Sequence, residues 1–478
     1  MMLIFMELIF YIKRIYMFKF KKDFWWGAAS SGCQTESDKD KPNLNIMDYW
    51  YKQTPTDFYD NKGPNITCDT YSNYKTDVKL MSEIGLNSFR TSIQWTRLIK
   101  NLYTGEVDLK QVEFYRNYFL EIKKNNIKLI VNLFHFDTPI ELENIGGWTN
   151  KKTVELYFLY AKQCFKYFSD LVDYWTTFNE PVVLVDGCYL NKWYYPKISN
   201  LKLAVQAAYN TILAHCKVAN YFHSYFKNDQ NKKISIILNL TPTIPKNSEL
   251  KHLKAAKIRD ELLNKSFLNA VIKGQFSTFL IKFLNENNLM PEYDQLELNE
   301  IKKTRIDFLA VNYYQPARVQ APLNNLTSST ELKLENWFLP YTNKNIRINP
   351  YRGWEIHPQT LYDIAIDIKN NYDNIPWIVS ENGIGVSDEN RFLNKQGYID
   401  DQYRIDFIKE HLIYLYKAIE QGSNCFGYQM WTLIDNWSWA NGFKNRYGFI
   451  SLDTKTLKRT IKKSGYWIKQ VIKDQGFE

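Results

Sequence analysis

Residues 172–181 read VDYWTTFNEP, an apolar run that ends in polar residues and a proline. This run follows an amphipathic stretch at residues 153–168, and the pairing of a short apolar run with a longer amphipathic stretch recurs along the chain. Near-continuous apolar runs of this kind are typical of buried parallel strands, and amphipathic stretches are typical of the helices that cover them. The pattern predicts an α/β fold built on a parallel sheet.

Eight such runs predict eight strands. Eight strands in one chain of 478 residues fit a (β/α)8 TIM barrel better than an open, doubly wound sheet. No GxGxxG follows the first run, which argues against a dinucleotide-binding oxidoreductase. The predicted strands are residues 24–31, 88–95, 128–137, 172–180, 233–240, 307–314, 377–382 and 427–435, and helices are predicted at 70–84, 112–124, 153–168, 203–226, 358–371 and 403–421.

The first residues of the chain are apolar, but they do not resemble a membrane span or a signal peptide. Glu7 and the pair Lys13-Arg14 interrupt the apolar run, which is too short to cross a bilayer and lacks a small-residue cleavage site. We therefore expect residues 1–16 to be an N-terminal extension upstream of a natural start at Met17. The barrel is expected to occupy residues 17–478, without stable membrane association.

Composition narrows the classes of partner. The net charge is +10, but the lysines are scattered and form no basic run interleaved with aromatic residues, so we expect no nucleic-acid partner. Six cysteines without a CxxC pair indicate reduced thiols in a cytoplasmic protein. Six histidines without an HxxxH pair predict no metal site, and the sequence points to no cofactor.

Polar residues stand where the predicted strands end. A barrel enzyme carries its chemistry at the carboxyl ends of its strands, so this placement predicts a site there. The residues are Gln34, Arg90, His135, Asn179, Glu180, Asn312, Tyr314, Glu381, Asn382, Trp431 and Asp435.

Two of these residues are carboxylic acids that close buried strands, Glu180 and Glu381. Burying a carboxylate costs free energy unless the charge is paired or the pKa shifts, and both devices suit an acid/base pair. Retaining cleavage of a glycosidic bond needs two carboxyl groups roughly 5 Å apart across the sugar. From their spacing alone, the two glutamates fit this role and equally fit structural ion-pair partners.

The motifs around the two glutamates carry a family resemblance. TFNEP at residues 177–181 and SENG at 380–383 resemble the paired signatures of glycoside hydrolase family 1, and the likeness extends from FWWG at 24–27 to RYG at 446–448. The resemblance implies a retaining glycosidase with a covalent glycosyl-enzyme intermediate. It implies that Glu180 is the general acid/base and Glu381 the nucleophile.

The same resemblance implies roles for the residues around them. Arg90 and Tyr314 match the side chains that hold the nucleophile, and Asn179 matches the residue that binds the sugar 2-hydroxyl. At Phe136 most family members have tryptophan, so an indole donor is missing here. Residues implied to bind the glycone, the sugar that is transferred, are Gln34, His135, Asn312 and Trp431.

One loop indicates whether the sugar of the substrate is phosphorylated. Family members that act on unphosphorylated sugars usually have glutamate at the position of Ser438, whereas phosphoglycosidases combine serine with a downstream lysine and tyrosine. Ser438 and Tyr447 match; the lysine position is Asn445, with Lys444 adjacent, so both are predicted phosphate ligands. Residues 90–97, 353–356 and 401–407 also resemble the family's 6-phospho-β-glucosidases. The resemblance implies hydrolysis of 6-phospho-β-D-glucosides to glucose 6-phosphate and an aglycone.

Alternatives remain open. Trp439 follows Ser438 as in 6-phospho-β-galactosidases, so galacto specificity or dual activity is the first alternative, followed by β-glucosidase activity on unphosphorylated sugars. A carbohydrate-binding barrel would keep Gln34, His135 and the aromatic residues but need not keep both glutamates. A metal-dependent hydrolase would need a cluster of metal ligands at strand ends, where only His135 stands. The expected partner is a small phosphorylated β-glycoside made during uptake, which agrees with a cytoplasmic enzyme.

Overall fold

The computed structural model describes residues 17–323 and 332–478. Its centre is a closed barrel of eight parallel strands, each hydrogen-bonded to its neighbours in chain order, with β8 pairing with β1 to close the ring. The predicted (β/α)8 barrel is confirmed. The proposed extension at residues 1–16 lies outside the described residues. The strands are β1 (Trp25–Ala29), β2 (Ser88–Ser92), β3 (Lys128–Asn132), β4 (Tyr174–Asn179), β5 (Lys233–Asn239), β6 (Leu309–Asn312), β7 (Trp377–Asn382) and β8 (Cys425–Trp431).

Helices surround the barrel, and all six predicted helical stretches form helices with ends that differ by a few residues at most. In the described ranges no helix is both long and apolar enough to cross a lipid bilayer. Helices of eight residues or more are α1 (Ile46–Gln53), α2 (Thr70–Ile84), α3 (Leu109–Lys124), α4 (Lys151–Phe168), α5 (Leu201–Tyr225), α6 (Leu250–Asp260), α7 (Ser266–Lys273), α8 (Thr278–Glu286), α9 (Gln295–Lys303), α10 (Gln359–Asn371), α11 (Gln402–Glu420) and α12 (Lys463–Asp474).

Five small sheets form outside the barrel in the described part of the chain. One of them is a mixed three-stranded sheet, whose segments lie between β5 and β7 in the sequence. Another pairs the first strand of the described region with the last. These sheets are Phe18–Lys19 with Gly476–Phe477, Ile99–Asn101 with Glu106–Val107, Thr243–Pro245 with Ala317–Gln320 and Leu339–Pro340, Ile348–Asn349 with Trp354–Glu355, and Ile450–Leu452 with Arg459–Ile461.

An apolar layer fills the interior of the barrel below the carboxyl ends of the strands. Successive residues of a strand point to opposite faces, so Trp25 faces the interior while Trp26 packs against the helices. This filled layer leaves room for a ligand only at the rim where the strands end. The interior cluster consists of Trp25, Ile130, Ile237, Phe308, Ala310 and Ile378.

A buried ionic network fixes the loops after β7 and β8 relative to each other. Arg404 on α11 is fully buried, and its Nε donates to Asp401 at 2.8 Å. Its Nη1 donates to the carbonyl of Ile384 at 2.7 Å and to that of Tyr447 at 2.9 Å. A guanidinium can satisfy several acceptors at fixed angles, so Arg404 holds both loops in one arrangement at the rim.

Candidate active site

A cavity of about 600 Å³ opens at the rim of the barrel, where the carboxyl ends of the strands meet. Ten of the fourteen site residues predicted from the sequence line it. Of the other four, Arg90 and Asn312 contact the lining glutamates, and Lys444 and Asn445 are described below. The ten lining residues are Gln34, His135, Asn179, Glu180, Tyr314, Glu381, Trp431, Ser438, Trp439 and Tyr447.

Glu180 is aimed into the cavity by an irregularity at the end of β4. Thr176 pairs with Ser235, but Asn179 pairs with Ile237, so β4 carries one extra residue relative to β5. Glu180 follows in the left-handed conformation, with φ 49° and ψ 57°, at the start of a short helix. Such a backbone costs on the order of 1–3 kcal/mol for a residue with a side chain. Bulges next to active sites commonly re-aim a side chain in this way.

Glu381 is aimed by a similar irregularity in β7. Val379 pairs with Val311 of β6, but Glu381 pairs with Asn312, so β7 also carries one extra residue. Strict alternation from Ile378, which faces the interior, would turn Ser380 inward and Glu381 outward. Because of the bulge, Ser380 and Glu381 both reach the interior of the barrel.

Two donors hold the carboxylate of Glu381. Arg90, fully buried on β2, pairs through Nη2 with Oε1, and the hydroxyl of Tyr314 donates to Oε2 at 2.7 Å. Glu381 itself is 4% exposed. Hydrogen bonds to an ionised acceptor are stronger than neutral ones, so both donors stabilise negative charge on Glu381. The arrangement fixes the carboxylate at the cavity wall.

Glu180 is held by a chain of polar side chains that links it to the strand of Glu381. Nδ2 of Asn312 donates to Oε1 of Glu180 at 2.8 Å and to Oδ1 of Asn179 at 3.1 Å. Oδ1 of Asn312 accepts from the hydroxyl of Ser380 at 2.6 Å. Asn312, assigned from the sequence to the sugar, therefore contacts the acid directly. Asn312 lies at the end of β6, and its side chain links the ends of β4 and β7.

The two carboxyl groups have opposite environments. Burial raises the pKa of Glu180 to about 8, and the nearby charge of Glu381 contributes to this rise, while the hydrogen bond from Asn312 and the charge of Arg90 oppose it. Glu180 is therefore protonated at neutral pH. A protonated carboxyl group beside a carboxylate that is ion-paired is the arrangement that a general acid and its neighbouring nucleophile require.

The activity should depend on this proton. We expect kcat/KM to be high below pH 8 and to fall as the pH rises through about 8, because a raised carboxyl pKa means that Glu180 loses its acidic proton only there. Initial rates measured from about pH 4 to about pH 10 test this expectation. Asn312→Leu removes a bond that favours the ionised form, so the alkaline limb should move to higher pH. A limb centred near pH 5 would contradict the assignment of the acid.

Aromatic side chains line the same cavity as the glutamates. The ring of His135 lies nearly parallel to Trp431, with centroids 5.9 Å apart, and to Trp439, with centroids 6.0 Å apart. Nε2 of Gln34 donates to the carbonyl of Trp437 at 2.9 Å, which ties Gln34 to the loop that carries Trp439. Flat apolar faces beside polar tips suit a pyranose ring, which has C–H faces and hydroxyl edges.

His135 is neutral in this setting. Burial and the charge of Arg90 hold the pKa of its imidazole well below the usual value. Nη1 of Arg90 lies 3.4 Å from Nδ1 of His135, and a guanidinium can only donate, so Nδ1 accepts and Nε2 carries the proton. The ring therefore offers one N–H donor to a ligand.

The residues predicted to bind phosphate are only partly brought together. Ser438 and Tyr447 line the cavity, and the hydroxyl of Ser438 makes no hydrogen bond to any residue in the described ranges. Lys444 lies outside the lining, exposed, with its ammonium 5.5 Å from the ring of Tyr59. Asn445 is buried behind the wall, and its amide lies 3.5 Å from the carbonyl of Tyr351.

Several polar residues of the lining were missed in the sequence, among them Asp186, Asn239, Arg259 and Arg352. Arg352 lies immediately before the stretch 353–356, which was noted only for its resemblance. Asn239 ends β5, where the strand-end rule could have found it. Asp186 and Arg259 lie in helical segments after β4 and β5 and had no signal. Asp186 and Asn239 each have a buried side-chain oxygen without a hydrogen-bond partner among the described residues.

The fold and the site together define a class. A barrel rim with a protonated glutamate and a charged glutamate facing one cavity can protonate a leaving oxygen and attack the adjacent carbon, which is the chemistry of a glycoside hydrolase. The model of Glycosyl hydrolase family 1 matches residues 16–477, and the chain belongs to this family. The resemblance drawn from TFNEP and SENG is confirmed.

Similar proteins cover nearly the whole chain. The 6-phospho-beta-glucosidase GmuD of Bacillus subtilis (strain 168) is 46% identical, across 96% of this chain and 99% of that protein. The 6-phospho-beta-galactosidase of Leptotrichia buccalis is 34% identical, across 95% of this chain and 98% of that protein. Among solved structures, the family 1 β-glucosidase from Thermotoga maritima is similar with a TM-score of 0.86 and 28% identity, across 97% of this chain and 99% of that chain.

Proposed function

We propose that this enzyme hydrolyses 6-phospho-β-D-glucosides to glucose 6-phosphate and an aglycone, with retention of configuration at the anomeric carbon. Glu381 is the nucleophile and Glu180 the general acid/base. The observation that carries the assignment is the contrast between the two carboxyl groups: Glu381 is ion-paired with Arg90, whereas the pKa of Glu180 is raised by burial. Each glutamate thus has the protonation state that its role requires.

In the first step, Oε2 or Oε1 of Glu381 attacks the anomeric carbon, and the bond from this carbon to the aglycone oxygen breaks. Glu180 gives its proton to that oxygen, so the aglycone leaves as an alcohol. The sugar is then joined to Glu381 by an ester bond, with its configuration inverted once.

In the second step, Glu180, now ionised, takes a proton from a water molecule. The water oxygen attacks the anomeric carbon, and the ester bond to Glu381 breaks. The configuration is inverted again, which gives net retention. Glu180 ends protonated and Glu381 ionised, as at the start, so the cycle closes without any other reactant.

Neighbouring side chains orient the sugar. Asn179, whose Oδ1 accepts from Arg90 at 3.4 Å and from Asn312, has its amide nitrogen free of partners in the described ranges and would donate it to the 2-hydroxyl. Gln34 and the Nε2–H of His135 would bind the 3-hydroxyl region, and Trp431 would pack against the ring. A bond to the 2-hydroxyl that strengthens in the transition state raises the rate rather than the affinity.

Support for a 6-phosphate comes from Ser438. A carboxylate at this position of the wall would repel a phosphate, whereas a free hydroxyl donates to it. Tyr447 lies on the same wall, and its hydroxyl offers a second donor. The similarity to GmuD, whose name records a 6-phospho-beta-glucosidase, supports the same substrate class.

The proposal is tested by comparing p-nitrophenyl β-glucoside 6-phosphate with p-nitrophenyl β-glucoside. We expect kcat/KM to be at least about 100-fold higher for the phosphorylated compound, because charged hydrogen bonds at the phosphate contribute roughly 1.5–3 kcal/mol each. Ser438→Glu should reduce this ratio by placing a carboxylate beside the phosphate, and Ser438→Ala should reduce it less. Faster cleavage of the unphosphorylated glucoside by the unaltered enzyme would overturn the substrate assignment.

A second candidate is 6-phospho-β-galactosidase activity. It rests on Trp439, which lines the cavity beside Ser438 and could contact an axial 4-hydroxyl, and on similarity to the protein from Leptotrichia buccalis. The galacto epimer of the phosphorylated substrate, measured in the same series, decides between them. Equal rates on both epimers would indicate dual activity.

We propose a cytoplasmic location. A sugar phosphate carries close to two negative charges at neutral pH, so it does not cross a bilayer unaided, and an enzyme that consumes it belongs on the side where it is made. All six cysteines are unpaired and buried, in keeping with a reducing compartment. The small-molecule glycoside is the only partner that this proposal needs.

A further inference from the structure

We propose that Arg352 is the cation that binds the 6-phosphate of the substrate. This inference rests on the proposed function and adds the phosphate-binding residue that the sequence did not identify. Arg352 lies in a hairpin between β6 and β7, on the same cavity as Ser438 and Tyr447.

Arg352 is the cation of the described cavity lining whose donors have no protein acceptor. Arg259 and Arg352 are the two guanidinium groups among the described lining residues. Arg259 donates to the hydroxyl of Thr243 at 2.9 Å and to both oxygens of Thr241 at 3.0 Å. The side chain of Arg352 makes no hydrogen bond or ion pair to any described residue, and its Nε is buried without an acceptor. A buried donor on a charged group needs an acceptor, and an anionic ligand supplies one.

The hairpin holds Arg352 in place. Its strands Ile348–Asn349 and Trp354–Glu355 pair antiparallel, and Nδ2 of Asn349 donates to the carbonyl of Gly385 at 2.9 Å. The guanidinium lies over the ring of Trp354, with its carbon 4.4 Å from the centroid. A stacked guanidinium keeps its N–H edge free for a ligand, so the contact orients Arg352 without consuming its donors.

The hairpin brings Arg352 to the wall that carries Tyr447. The ring of Tyr447 packs against Gly385, the residue to which the hairpin is tied. The charge of Arg352 is close enough to lower the pKa of Tyr447 against the effect of burial, and it acts on the pKa of Tyr194 as well. Arg352, Tyr447 and Ser438 thus present one charged and two hydroxyl donors to the same cavity.

The residue at the expected lysine position and the lysine beside it do not line the cavity. Lys444 is exposed and lies over Tyr59, and Asn445 is neutral and buried. The amide of Asn445 lies 3.5 Å from the carbonyl of Tyr351, which places residue 352 next to the position where a lysine would stand. A guanidinium from the neighbouring loop therefore serves the same phosphate. Its planar fork can bind two phosphate oxygens at once.

The experiment compares kcat/KM for p-nitrophenyl β-glucoside with and without the 6-phosphate. For Arg352→Ala we expect a loss of about 100-fold on the phosphorylated compound, mainly through KM, and a change of less than about threefold on the unphosphorylated one. Arg352→Lys keeps the charge but loses the fork, so a loss of about tenfold is expected. Asn445→Lys in the Arg352→Ala background should regain about tenfold, because it returns a cation to the adjacent position.

Arg347→Ala is the matched control. Arg347 stands in the same loop, but its guanidinium pairs with Glu410 on α11, and it does not line the cavity. We expect its ratio between the two substrates to equal that of the unaltered enzyme. Inorganic phosphate gives a second readout: it should inhibit the unaltered enzyme competitively and inhibit Arg352→Ala at least about tenfold more weakly.

The outcomes separate this inference from the function on which it rests. If the unaltered enzyme prefers the unphosphorylated glucoside, the proposed function fails. If it prefers the phosphorylated one but Arg352→Ala loses both activities equally, Arg352 is structural and the inference is overturned. A selective loss in Lys444→Ala with Arg352→Ala unchanged would assign the phosphate to Lys444 and would overturn it too.

Discussion

Hydrolysis is expected to fall by more than about 10⁴-fold when Glu381 is replaced by glutamine. The amide oxygen of glutamine can still accept from Tyr314, and the side chain has nearly the same shape. It cannot form the ester with the sugar, because a neutral amide is a poor nucleophile. Single-turnover measurement with p-nitrophenyl β-glucoside 6-phosphate should therefore give no burst of nitrophenol.

The replacement also leaves the buried Arg90 without its ionic partner, which can destabilise the fold by roughly 3–5 kcal/mol. Thermal unfolding of the variant, with and without the substrate, separates this effect from catalysis. Glu381→Asp keeps the charge and shortens the side chain by one methylene, so the carboxylate is withdrawn from the anomeric carbon while the pairing with Arg90 can persist. A folded variant of either kind with more than about 1% of the original kcat would refute the assignment of the nucleophile.

The barrel could be predicted because its signal is repeated eight times. Seven of the eight predicted strands contain the observed one, and the eighth, predicted at 427–435, overlaps the observed Cys425–Trp431 but begins two residues late. Most of the runs are apolar on both faces, as expected for a sheet covered by helices. The third predicted strand, 128–137, overshoots because its last residues form a turn: the backbone N–H of His135 donates to Asp137, and Phe136 has φ 64°. Periodicity detects burial, and this turn is as buried as the strand.

The sequence predicted which residues form the site, but it did not predict how their side chains are oriented. Strand ends and the family motifs identified the glutamates, but strict alternation would turn Glu381 away from the cavity. The extra residues in β4 and β7 that correct its aim, and that of Glu180, are set by register with β5 and β6. Register is a contact between segments far apart in the chain. No local pattern in TFNEP or SENG encodes it.

The missed residues illustrate a second limit. Arg352 and Asp186 lie in loop and short helical segments, where no periodic pattern marks which side chains turn inward. Lys444 looked suitable because it stands one position from the expected lysine, yet neighbouring residues of a loop point in different directions. A family motif transfers a role to a position, and the direction of the side chain there depends on the packing of both loops.

Replacing Glu180 by alanine should make the rate depend strongly on the leaving group. An aglycone whose alcohol has a high pKa is a poor leaving group unless it is protonated. For such an aglycone, removal of the general acid should reduce kcat/KM by about 10²–10⁴-fold. A dinitrophenolate needs no proton to depart, so the first step on 2,4-dinitrophenyl β-glucoside 6-phosphate should be nearly unaffected. The second step then lacks its base, and the glycosyl-enzyme should accumulate as a burst followed by slow turnover.

Azide gives a second test of the role of Glu180, because it can replace water in the second step. The space left by the carboxyl group of Glu180 admits a small anion, which needs no base to attack the anomeric carbon, so azide should speed turnover and yield the β-glycosyl azide 6-phosphate. Glu143→Ala is the matched control, because burial also raises the pKa of Glu143, to about 7, although Glu143 does not line the cavity. If both variants respond alike to leaving group and to azide, the raised pKa of Glu180 reflects burial alone, and another group must supply the proton.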